Sequence, residues 1–98
     1  MNNKALVLDI AMNLNRVGNW AADDLTGKKK RIEFFLDQTT QYIKSLDKSS
    51  MSDDFKKTFN KFLGEYKNIV NDNSKNSSSW AEKLMTWGNI LTHRSKLI

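Results

Sequence analysis

The chain has 98 residues, 39% of them hydrophobic and ten of them aromatic, so it has the size of one domain and apolar matter for one core. It contains no cysteine, which excludes disulfides, thiolate zinc sites and a cysteine nucleophile. Its net charge of +5 is unevenly spread: residues 26–46 hold five bases against two acids and residues 73–98 four against one, whereas residues 1–25 are slightly acidic and 47–72 neutral. Any anionic partner should meet the second and fourth quarters first.

Proline is absent, and the apolar residues recur at three- and four-residue spacing in four runs, the pattern of amphipathic helices. The expected fold is all-α, a single domain over 1–98 forming a four-helix bundle, with helices near 3–22, 27–46, 52–71 and 79–94. In the first, Leu6, Val7, Ile10, Leu14, Val17 and Ala21 share a face. At about 100° per residue, Leu8 and Met12 point about 160° away from Ile10, with Ala5 beside them. A helix with two apolar sides wants two partners: it is either covered by its own chain or offers Leu8, Met12 and Ala5 as a homodimer or partner seam. Next to the core face runs a polar stripe of Asp9, Asn13, Arg16 and Trp20, continuing to Asp23, with Asp–Arg and Arg–Trp contacts expected along it.

The stretch from Asp23 to Arg31 reads DDLTGKKKR and turns from acid to base within nine residues. It fails as a phosphate loop, because Gly18 and Gly27 are nine apart and Lys28 is followed by Lys29. It reads instead as the turn between helices one and two. Both charge clusters then oppose the helix dipole, with acids closing one helix and bases opening the next. The two errors can neutralise each other, or Lys28, Lys29, Lys30 and Arg31 can be neutralised by an anion, and Phe34 stands about 145° off helix two's apolar face beside them. These five residues form the candidate anion or partner patch.

Helix two buries Ile32, Phe35, Leu36, Thr39, Tyr42, Ile43 and Leu46. Ser52 followed by Asp53 and Asp54 caps and charges the start of helix three, whose stripe is Phe55, Phe59, Phe62, Leu63, Tyr66, Ile69 and Val70. The polar tract from Asn71 to Ser79 is the longest expected loop, and Ser79 with Glu82 has capping-box spacing at the start of helix four. There Trp80, Leu84, Trp87, Leu91 and Ile98 line up. Short connections between helices of similar length favour up-down-up-down antiparallel order. Gly18-Asn19-Trp20 and Trp87-Gly88-Asn89 echo one another without amounting to a repeat.

Catalytic chemistry finds little material. His93 is the sole imidazole, five residues from the last residue, with no acidic residue nearby to orient it; with Arg94 it is the weakest of the candidate sites. A di-metal bundle centre needs paired Glu-x-x-His motifs, and the chain holds three Glu and one His. No cofactor and no metal are expected. No apolar run reaches the roughly 20 residues that span a bilayer, and Asp9 and Asn13 interrupt the first apolar stretch, so the sequence reads as cytoplasmic and non-membrane. The expected function is non-enzymatic, a protein-interaction or regulatory module that could self-associate through helix one. Weak nucleic-acid binding by the basic start of helix two is the alternative, and a ligand-binding or catalytic bundle comes after it.

Overall fold

Helix one begins where Asn2 adopts an extended backbone and its side chain accepts the Ala5 N–H at 2.8 Å, satisfying one of the free donors of the first turn. From there the computed structural model, which describes residues 2–72 and 78–98, consists of four helices. They are α1 (Asn3–Asp24), α2 (Lys29–Ser45), α3 (Asp53–Asn71) and α4 (Ser78–Arg94). Two 3-10 turns, Lys48–Ser50 and Ser95–Leu97, follow α2 and α4. The fold is an all-α four-helix bundle of 39 × 22 × 20 Å. Among the described residues no helix is long and apolar enough to cross a membrane.

The order is up-down-up-down, each neighbour antiparallel to the last, as the cross-helix contacts show. Asn13 meets Gln38 across α1 and α2, and Asn3 meets Asp47 just past the end of α2; Tyr66 meets Leu36 across α2 and α3; Ile69 meets Trp80 across α3 and α4; Asn15 faces Gly88 across α1 and α4. The core comprises the apolar stripes expected from the spacing, with Val7, Ile10, Leu14, Phe55, Phe59, Phe62, Trp80, Leu84 and Leu91 all but inaccessible to water. Its centre is an aromatic stack in which Phe62 lies 5.5 Å from both Tyr66 and Trp87, and 5.7 Å from Phe59.

The most extensive helix contact is between α1 and α4. A Cβ added at Gly18 would collide with the Met85 side chain and stand 3.0 Å from the Ala81 carbonyl oxygen. One added at Gly88 would meet the Asn15 amide group at 2.7–2.8 Å. The two glycine tripeptides that echo one another in sequence thus both lie on the α1–α4 contact, Gly18 against the α4 backbone and Gly88 against the Asn15 side chain. Ala81, buried, belongs to the same seam.

Polar groups fix the connections. Asn3 donates to the Asp47 carbonyl at 2.6 Å and to Ser50 Oγ at 2.9 Å, and accepts the Asp47 N–H at 3.0 Å, tying the α2–α3 connection to the base of α1. Ser52 caps α3 as its position implied, accepting the Phe55 N–H at 3.2 Å, and donates its hydroxyl to the Leu97 carbonyl at 2.6 Å. The start of α4 departs from expectation: the helix begins at Ser78, so Ser79 sits inside the first turn and is not its cap. α3 ends at Asn71, as the expected span had it, and residues 73–77 of the polar tract lie outside the described residues.

Candidate functional site

The turn Leu25–Lys28 joins α1 to α2 and brings the acid-to-base stretch together in space. Asp24 Oδ1 accepts the Gly27 N–H at 3.0 Å, closing the turn, and Lys28 Nζ pairs with Asp23 Oδ2 at 2.7 Å. The hydrogen bond and the charge of Lys28 together hold the Asp23 carboxyl below its ordinary range. One acid and one base therefore cancel within the turn. Lys29, Lys30 and Arg31, all exposed, occupy the first turn of α2, and none has an acidic partner among the described residues. A hollow of about 640 Å³ lies among them, bounded by Asp24, Thr26 and Gly27 on its other side.

Arg31 turns toward α1 and lays its guanidinium over the Trp20 ring, Cζ to centroid 5.1 Å. Trp20 in turn packs on Phe35 at 5.2 Å, Arg16 covers Phe35 with Cζ 5.9 Å from its centroid, and Phe34 meets Phe35 edge-on at 5.2 Å. The result is a continuous layer of three aromatic rings and two guanidinium groups along the α1–α2 edge. Phe34 is 60% exposed, the most exposed large apolar side chain of the described residues, and Arg16 and Arg31 are exposed as well.

This arrangement revises the polar stripe on α1. Asn13 is buried and donates its amide to Gln38 Oε1 at 3.0 Å, so it joins the α1–α2 interface and is no surface residue. Asp9 forms no ion pair with Arg16, and Arg16 does not reach Trp20: its cation goes across to Phe35 on α2, while Trp20 receives Arg31. The stripe faces a neighbouring helix, and contacts across that interface displace those along the helix. Phe35 and the pairing of Arg16 with it escaped the sequence reading, which treated Phe35 only as core. The available signal was hairpin symmetry: Trp20 lies seven residues before Gly27 and Phe34 seven after it, so an antiparallel turn centred there sets them side by side.

The seam residues on α1 stand in the open. Leu8 is 36% and Met12 47% exposed, with Ala5 half-buried next to them, so the bundle does not cover this side of the helix. His93 and Arg94 close α4, where cations suit the helix dipole, and both are exposed. With Lys61 of α3 they border a groove of about 500 Å³ whose apolar wall is Trp87 and Ile90. No hydrogen bond or ion pair orients His93 among the described residues, and no group of three acidic or imidazole side chains there could hold a metal. Comparison with family models, curated proteins and solved structures finds no match to the chain.

Proposed function

We propose that this chain is a small non-enzymatic interaction module whose working surface for a protein partner is the outer side of α1, with a second copy of the chain as the partner. The supporting observation is the exposure of Leu8 and Met12, one helical turn apart on the helix that is clamped between α2 and α4. A surface on a helix held from both sides is rigid, so docking it costs little ordering entropy. In an isologous pairing with two α1 helices antiparallel, Leu8 of each copy meets Met12 of the other, and Ala5 lets the backbones approach.

Light scattering on the full chain tests this reading. The wild-type chain should show a mass that rises toward twice the monomer with concentration, and Leu8→Asp with Met12→Asp should hold it at the monomer with the helical circular dichroism unchanged. A wild-type chain that stays monomeric at millimolar concentration, or an assembly that survives both aspartates, overturns it.

A further inference from the structure

We propose that the α1–α2 edge formed by Arg16, Trp20, Arg31, Phe34 and Phe35, with Lys29 and Lys30 at its end, is a binding surface for single-stranded nucleic acid. It is a different surface from the Leu8–Met12 side of α1 and stands or falls independently of it. Three features of the edge select this ligand.

Charge selects a polyanion. Of the four bases opening α2, only Lys28 is answered by an acid, Asp23, at 2.7 Å. Lys29, Lys30 and Arg31 sit against the helix dipole in the first turn, and Arg16 adds a fourth uncompensated cation on the same edge. Two exposed acids of α2, Glu33 and Asp37, lie within one helical turn of Phe34, and neither pairs with Lys29, Lys30 or Arg31 among the described residues.

Stacking surfaces select bases over an acidic peptide. Single-stranded sites pair a cationic track with aromatic faces, because every base offers a π-face whatever its identity. Guanidinium planes serve as well as rings. Here two guanidinium groups stand over rings, with Cζ 5.1 and 5.9 Å from the centroids, both Arg side chains are exposed, and Phe34 lies beside them 60% exposed. An acidic peptide would use the charges but would have no call on the exposed Phe34 ring or on the planarity of Arg16 and Arg31.

Dimensions select a single strand over a duplex. The ring centroids are 5.2 Å apart from Trp20 to Phe35 and from Phe35 to Phe34, so the whole edge spans only two or three stacked groups. A duplex keeps its bases stacked on one another and offers phosphates and groove edges but no free base face.

The measurement is fluorescence anisotropy of a labelled 12-nucleotide oligo-dT and oligo-U against the full chain, with a 12-base-pair duplex and a 12-residue polyglutamate as competitors. Binding in the range of 10 μM at physiological salt is expected, with a log–log salt slope near −3, about −0.7 for each of four cations. Phe34→Ala should weaken it about ten-fold at an unchanged salt slope. Lys29→Ala with Lys30→Ala should roughly halve the slope. Arg16→Lys with Arg31→Lys keeps the charge and should still weaken binding several-fold. DNA and RNA oligomers bound equally well identify backbone and base faces as the shared determinant, and a preference for oligo-U that persists against oligo-dU adds the 2′-hydroxyl to it. Binding indifferent to Phe34→Ala, or competed as well by duplex or polyglutamate as by the strand itself, overturns the proposal, as does absence of binding at low salt.

Discussion

The Cβ that Gly18 lacks would stand 3.0 Å from the carbonyl oxygen of Ala81, so α1 and α4 lie together as closely as their backbones allow at that point. A methyl group there has a flexible neighbour in Met85 and an inflexible one in the Ala81 carbonyl, and the second decides the outcome. Gly64 is the internal control, since it sits within α3 with nothing within 4 Å of an added Cβ. Gly64→Ala should stabilise the fold by about 1 kcal/mol through helix propensity alone. Gly18→Ala receives the same propensity gain but should lose about 1–2 kcal/mol net to overpacking. Urea unfolding of both variants checks the opposite signs.

Tyr66 carries a hydroxyl into the α2–α3 interface, where it donates to the Leu36 carbonyl at 2.9 Å and lies 3.1 Å from the Thr40 hydroxyl. Burial raises its pKa above the ordinary 10.0, outweighing the opposing hydrogen bond with Thr40; Asp37 adds to the rise. The unfolded chain therefore loses this proton at a lower pH than the folded one, and stability present below pH 10 declines as pH rises through the folded-state value. Tyr66→Phe should cost about 1 kcal/mol at neutral pH. The gap between wild type and variant should narrow on moving from about pH 9 to about pH 11, and chemical denaturation at both values reads it.

Ser52 holds two segments with one oxygen, accepting from Phe55 N–H and donating to the Leu97 carbonyl. Ser52→Ala should cost about 1 kcal/mol from the lost cap, with a further loss at the end of the chain. Ser52→Asp restores the cap acceptor without the donor, so it should recover the first loss only. Hydrogen exchange of the amides near Ser95 to Ile98 separates the two, remaining fast in the Asp variant if Leu97 depends on the hydroxyl.

Phe34 and Phe35 are consecutive and should behave as opposites. Phe34, 60% exposed, touches the fold chiefly through the edge of Phe35, and Phe34→Ala should alter stability by no more than about 0.5 kcal/mol. Phe35 is partly buried under Trp20 and Arg16, and its removal should cost about 2 kcal/mol. Thermal melts of the two variants test this, and near-neutrality of Phe34→Ala is what makes it a clean probe of binding.

The sequence alone determined the number of helices, their order and nearly all of the core, because a period of 3.6 residues assigns each apolar side chain to a face wherever the helix packs. Leu6 to Val17 and Phe55 to Ile69 are buried where that period put them. It also determined the outliers: Leu8, Met12 and Phe34 break the period and stand in solvent. Local capping was readable at Ser52 and misleading at Ser79, which lies inside the first turn of a helix that begins at Ser78. Tertiary structure alone decided which groups the helices bring to one another. A helical wheel gives the direction of a side chain and not its neighbour, so it could place Arg16, Trp20 and Asn13 on one stripe but not send Arg16 to Phe35, Trp20 to Arg31 and Asn13 to Gln38. The closeness of α1 to α4, set by glycines on two helices 70 residues apart in sequence, is of the same kind. Periodicity is a property of one segment, whereas the layer of rings and guanidinium groups exists only once two segments are side by side.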